Sequence, residues 1–239
     1  MKKTNAQTLG RDNMLEQAWF WGNGVFIVVF SMSIIKAAMR LGFNQRFLHI
    51  LSCLSLMVSY GSCVFFKTPA INIQKLLRDG NFRCFLVFCS FLTMRGSLVP
   101  MIPFLLMSCL SLSSYILKNK KLYENSLLMG ASQNIASKRD QITVLALKIE
   151  VLSVPLLVLH LLTGNADLFA VVSYASMAWF EYTTNPSMKK AVTEIVAKID
   201  KTVESPSVPA SIKQRYTEAK KYLTARMPAA VHPMSEKTA

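Results

Sequence analysis

Apolar residues gather into long runs separated by short polar breaks, and the length of each run set against a bilayer predicts its role. Residues 19–39 (WFWGNGVFIVVFSMSIIKAAM) match the roughly 20 residues that cross about 30 Å of hydrocarbon at about 1.5 Å per residue. Trp19 and Trp21 mark one end and Lys36 can snorkel at the other. A turn at residues 40–46, holding Gly42, leads into a second run, 47–66, which carries several serines. After a basic connector, 67–81, the stretch 82–117 is too long for one span and is broken by Arg95, Gly96 and Ser97. An arginine at a helix centre costs about 2.5 kcal/mol or more in a bilayer, so this triplet predicts a turn between a short arm, 82–94, and a full arm, 98–117. Pro100 and Pro103 fall in the first turns of the second arm, where proline is tolerated. A polar segment, 118–141, precedes the run 142–162, the turn 163–167 with Gly164, and a last arm, 168–182.

The pattern predicts an all-α integral membrane protein: a short N-terminus (1–18), a membrane domain (19–182) of about three helical hairpins (19–66, 82–117, 142–182), and a tail (183–239). Lys and Arg number 27 against 13 acids, a net charge of +14, and 52% of residues are hydrophobic. The charge decides orientation. Basic residues crowd the connectors (Lys118, Lys120, Lys121, Lys138, Arg139) and the tail, so the positive-inside rule puts both chain ends in the cytosol. Arg40, Arg46 and Arg95 then sit in far-side turns. Hairpins that stop short of the far leaflet would account for those arginines and for the short arms.

The tail reads as soluble and helical. Asn185 and Pro186 form an N-cap and first helical residue, followed by Met188, Val192, Ile195, Ile199 and Val203 at helical spacing. Lys189, Lys190, Lys198 and Lys201 lie around the polar side, which predicts an amphipathic helix able to sit on an anionic, curved bilayer surface. Docking on protein is the alternative use of the same stripe. Residues 205–210 (SPSVPA) break that helix, and Ser211 with Gln214 has the spacing of a capping box for a second one. Beyond Pro228 the composition predicts disorder.

Candidate chemistry is sparse. Catalysis needs a nucleophile with a base and an orienting group, or ligands at metal spacing, and the sequence offers neither, so no catalytic residue, metal or cofactor is expected. His49, His160 and His232 are scattered. The five cysteines (Cys53, Cys63, Cys84, Cys89, Cys109) read as reduced and packed among helices, though Cys84 beside Arg83 also has the setting of a palmitoylation site. Lys148 and Glu150 are ionisable groups inside an apolar run. Either they line an ion or proton path with His160, as in a small transporter or channel, or their arm starts shallow and both charges snorkel to water. The tail has few aromatics besides Tyr216 and Tyr222, which argues against stacking on nucleic acid.

Residues 97–118 (SLVPMIPFLLMSCLSLSSYILK), Glu150 and Pro155, the turn 163–168, residues 182–186 (YTTNP) and the prolines Pro206 and Pro209 occur in an order and spacing that resemble the transmembrane protein 33 family. That family, also called Krüppel homologue 2, includes the pore-membrane nucleoporins of yeast. The resemblance implies a multi-spanning protein of the endoplasmic reticulum and nuclear envelope that associates with reticulon-type shaping proteins or nucleoporins and is not an enzyme. For Glu150, Pro155, Asn185 and Pro186 it implies architectural roles only.

The predicted topology is open to a direct check. Single cysteines near residues 5, 130 and 235 of a cysteine-free variant are expected to label from the cytosolic side of sealed microsomes. Any site that labels only after the membrane is opened would refute three hairpins with both ends in the cytosol.

Overall fold

The computed structural model describes residues 2–39, 44–67, 73–94, 97–123 and 126–226. Among them the elements are all helical: α1 (Lys2–Met39), α2 (Gln45–Lys67), α3 (Ile73–Arg78), α4 (Gly80–Phe91), a 3-10 turn (Val99–Met101) running into α5 (Ile102–Lys118), α6 (Lys120–Tyr123), α7 (Leu127–Ser137), α8 (Arg139–Leu162), α9 (Leu168–Thr184), α10 (Pro186–Glu204) and α11 (Ala210–Arg226). The all-α membrane fold is as the sequence predicts. The turns around Gly42 and Gly96, with Arg40 and Arg95, and the end beyond Arg226 lie outside the described residues. The chain divides into two compact units, one up to Glu181 and one from Tyr182.

Four helices start on an Asn or Asp side chain that takes up orphan backbone donors. Asn44 accepts from Arg46 and Phe47, and Asp79 from Asn81 and Phe82. Asp167 accepts from Ala170, and Asn185 from Ser187 with Pro186 following. At the end of α8, Gly164 takes φ +70°. The Asn165 amide then bonds His160 O at 2.8 Å and the Gly164 amide bonds Leu161 O at 3.1 Å, a Schellman stop that only a residue tolerant of positive φ permits cheaply.

The expected capping box at Ser211 does not form. Helix α11 starts one residue earlier, at Ala210, because the fixed φ of Pro209 sets up the first turn and its carbonyl accepts from Ile212 and Lys213. Ser211 is therefore inside the helix, and Gln214 donates forward to Glu218. At the N-terminal side, helix α1 begins at Lys2 and runs without a break into the first span.

Among the described residues, four helices are long and apolar enough to cross a membrane: Asp12–Met39, Gln45–Phe65, Val99–Lys118 and Arg139–Leu162. Their outer faces are apolar as well as their inner ones. On α1 the stripe Trp21, Val25, Val28, Met32, Ile35 and Met39 is exposed, while Phe26, Val29 and Phe30 are buried. Lipid supplies no hydrophobic drive between helices, so packing and hydrogen bonds must hold them. Helices α1 and α2 form an antiparallel pair in which the serines of α2 are the contact surface. Ser52, Ser55, Ser59 and Ser62 are all buried, and Asn23 donates to Ser59 at 2.6 Å. The serines that interrupt this apolar run are what lets α1 approach.

Helix α4 has 12 residues and α9 has 17. The two run antiparallel side by side. Arg83 lies 4.0 Å from the Phe180 ring centroid, Cys84 Sγ is 3.7 Å from Met177 Sδ, Ser90 and Ser173 share a 2.8 Å hydrogen bond, and Thr93 donates to Asp167. Rings fill the space around them: Phe91 stacks on Tyr174 at 5.8 Å, and Phe88 meets Phe104 edge-on at 4.6 Å.

Among the described glycines the tightest site is Gly22, where an added Cβ would lie 2.8 Å from Ser55 O and 2.9 Å from Ser59 N. Both are main-chain atoms that cannot swing away. Gly22→Ala is expected to lower stability by about 1–3 kcal/mol by prising α1 from α2. Gly24→Ala, which meets nothing within 4 Å, should leave it unchanged or raised. Thermal unfolding of the two variants in the same detergent separates them, and equal melting would show that the close approach is unimportant.

Candidate membrane-surface site and buried charges

The tail helix α10 carries the residues proposed for the membrane surface. Its N-cap fixes the helix phase, so Met188, Val192, Ile195, Ile199 and Val203 share one side. Exposure along that side is uneven. Met188 is buried at 1% exposure and Ile199 is 41% exposed, with Val192, Ile195 and Val203 between. Lys190, Lys198 and Lys201 are exposed and Lys189 is half-buried.

Helix α11 folds back beside α10. Asp200 accepts from Tyr216 at 2.8 Å and from Lys220 at 2.7 Å through both carboxylate oxygens. Val203, Lys213 and Thr217 line the cleft between the helices with them. Sequence reading did not pair Asp200 with Tyr216 and Lys220. The signal was present only as an acidic residue on a lysine-rich helix, and the partner lies 20 residues on, past a proline break.

In the membrane unit, Glu150 lies halfway along α8 on the side shared with Ala146, Ser153 and Leu157. That side is the packed one, so Glu150 is 8% exposed and its Oε1 has no hydrogen-bond partner. Tyr60, Cys84, Tyr174 and Glu181 come close enough to feel its charge, which puts it where α2, α4, α8 and α9 meet. Of the two placements the sequence leaves open for Glu150, buried or interfacial, its packing in this unit is the buried one, set by helix phase. Lys148 sits about 200° around the helix from it and is half-buried. His160 is about 15 Å further along α8, where its Nε2 lies 3.2 Å from Ser97 Oγ. The three residues of the transporter reading are therefore not assembled at one point.

Two buried groups escaped the sequence reading. His49, at 2% exposure, bonds Phe91 O at 2.8 Å across from α2 to the last turn of α4, leaving Nδ1 without a partner. Tyr174 is fully enclosed and its hydroxyl is likewise unpartnered. Only an apolar run with polar interruptions hinted at either. The five cysteines are free thiols, and Cys84, turned toward Met177 within the α4–α9 contact, is not presented as a palmitoylation site would be. Among the described residues no group of three His, Cys, Asp or Glu could hold a metal ion.

The family model described as transmembrane protein 33/nucleoporin POM33 matches residues 2–229. The chain belongs to that family. With four helices of spanning length, this transmembrane protein 33/nucleoporin POM33 member is a multi-pass membrane protein, and the family name links it to a nuclear-pore-related role. No curated protein and no solved structure matches the chain.

The α10–α11 contact should respond to pH. Hydrogen bonds from Lys220 and Tyr216 hold the Asp200 carboxyl below its ordinary 3.8, and desolvation together with the bond to Asp200 pushes Tyr216 up to about 12. Asp200 has its pKa lowered by folding, so its contribution is present above its ordinary value and lost as pH falls through the folded one. Tyr216 has its pKa raised, so its contribution is present below 10.0 and lost as pH rises toward 12. Spin labels at Ala197→Cys and Ala219→Cys, with the native cysteines replaced, are expected to report a short distance from pH 5 to 9 and a longer one once pH falls through the folded Asp200 value or rises toward the Tyr216 value of about 12. Asp200→Asn should lengthen it at neutral pH, and a distance indifferent to both changes would mean other contacts close the pair.

Proposed function

We propose that this protein is a membrane-shaping or scaffolding protein of the endoplasmic reticulum and nuclear envelope, acting in tubular network organisation and nuclear pore complex assembly. The observation that carries this reading is the pairing of α4 with α9. At about 1.5 Å per residue, the 12 residues of α4 extend about 18 Å, well short of a 30 Å hydrocarbon layer. Two paired arms of unequal length beside full-length spans add more cross-section to one leaflet than to the other, and a wedge of that kind needs no catalytic step. Three hairpins with both ends in the cytosol put the wide end on the cytosolic side. The tail then starts at the surface, so the Val192, Ile195 and Ile199 stripe with its lysines meets an anionic, curved bilayer at high effective concentration. Reticulon-type proteins and nucleoporins are the partners this family membership suggests.

Glu150 favours a second reading. A carboxyl group enclosed between packed helices is the setting of an ion or proton path, with Lys148 and His160 on the same helix.

One reconstitution tests both. Full-length protein in giant vesicles is expected to concentrate in thin membrane tethers relative to the flat vesicle wall, and Val192→Asp with Ile195→Asp should lower that ratio by removing the tail's share. Glu150→Gln should leave it intact. Wild-type protein that shows no preference for the tether would end the shaping reading, and a proton flux across the same vesicles that Glu150→Gln abolishes would establish the transport one.

A further inference from the structure

One end of the bundle holds a cavity of about 370 Å³ between α1, α2 and α5, lined by Leu15, Glu16, Trp19, Ser62, Cys63, Tyr115 and Lys118. Its level in a bilayer follows from where these residues stand in their helices. Leu15, Glu16 and Trp19 open the span Asp12–Met39, Ser62 and Cys63 come just before the end of Gln45–Phe65, and Tyr115 and Lys118 close Val99–Lys118. Antiparallel α1 and α2 bring those three ends together. A tryptophan, a tyrosine and a lysine at span ends mark the headgroup layer, so the cavity opens among lipid headgroups.

Its chemistry is two-signed. The Trp19 and Tyr115 rings are 5.7 Å apart and tilted by 58°, and Phe20 backs Tyr115 at 5.2 Å. Both ring systems are part-exposed, and Glu16, which is exposed, comes within interaction range of the Tyr115 hydroxyl. Aromatic faces beside a carboxylate attract a cation, above all a weakly hydrated quaternary ammonium. Lys118, one turn beyond Tyr115, is exposed and offers the opposite charge, suited to a phosphate.

We infer that this cavity binds the headgroup of a zwitterionic phospholipid, the cationic amine against Trp19, Tyr115 and Glu16 and the phosphate toward Lys118. A lipid with only negative charge would satisfy Lys118 but meet Glu16. A soluble cation would satisfy Glu16 and leave Lys118 uncompensated. Only a ligand carrying both charges in the headgroup layer matches both ends, and its acyl chains have apolar helix faces below to follow. The site requires a bilayer and nothing else of the function proposed above.

The test uses full-length protein in nanodiscs of mixed phosphatidylcholine and phosphatidylglycerol, with photoactivatable probes carrying choline, ethanolamine or glycerol headgroups and mass spectrometry of the labelled peptides. Choline and ethanolamine probes are expected to label the segments holding Glu16 to Trp19 and Tyr115 to Lys118 in preference to the glycerol probe. Preference for choline over ethanolamine assigns the cation mainly to the rings, and the reverse assigns it to Glu16. Trp19→Leu should cut labelling by about two- to fivefold, the worth of a cation–π contact at an exposed site. Glu16→Lys, an exposed change that spares the packing, should turn the preference toward the glycerol probe. Equal labelling by all probes, or a Glu16→Lys variant that labels like wild type, would overturn the site.

Discussion

In hydrocarbon a backbone or side-chain polar group has no water to fall back on, and leaving one unpaired costs several kcal/mol. Much of this structure follows from meeting that demand. Helices satisfy their own interiors, and their ends are closed by Asn44, Asp79, Asp167 and Asn185 or by the Gly164 stop. The many serines turn their hydroxyls back onto carbonyls three or four residues earlier, as Ser33, Ser52, Ser55, Ser62 and Ser113 do. A serine that has bonded to its own helix behaves toward its neighbour as a small, nearly apolar knob. That is why the serine side of α2 accepts Gly22 at van der Waals limits while the bulky, fully apolar side of α1 is left to lipid.

Where the demand is not met, the structure departs from a plain bundle. Glu150 Oε1, His49 Nδ1 and Tyr174 Oη are enclosed and unpartnered. Tyr174 stacks on Phe91, whose carbonyl accepts from His49, so two of the three orphaned groups meet at one residue of α4. Shape explains that crowding. Because α4 is short, its last turn ends among the other helices, where the Phe91 carbonyl accepts from His49 as well as from the Met94 amide of the following turn. The pairing of α4 with α9 through Ser90, Ser173, Thr93 and Asp167 brings further polar groups together along the same short arm.

The unit from Tyr182 onward is held by different contacts. Helices α10 and α11 are held by Asp200, Tyr216 and Lys220 at an exposed position, where ion pairs are worth little individually and screening is strong. A contact of that strength yields readily to a competing surface. Ile199 and the lysines of α10 remain open to one, while Met188 is already buried.

Run length, turn residues and charge placement in the sequence were enough for the membrane class, the full-length spans, the short arms and the Asn185–Pro186 start of the tail helix, because each depends on local spacing against a fixed bilayer thickness or on a cap within three residues. The α11 start was missed by one residue, since Pro209 competes with Ser211 over the same first turn and only geometry decides between them. Which helices touch was not legible. The contacts of α4 with α9 join residues about 75 to 100 positions apart, and an apolar run looks the same whether it faces lipid or another helix. For the same reason the sequence left Glu150 open between a packed position and one near water. Its helix phase relative to α2, α4 and α9, which no local pattern encodes, turned it inward.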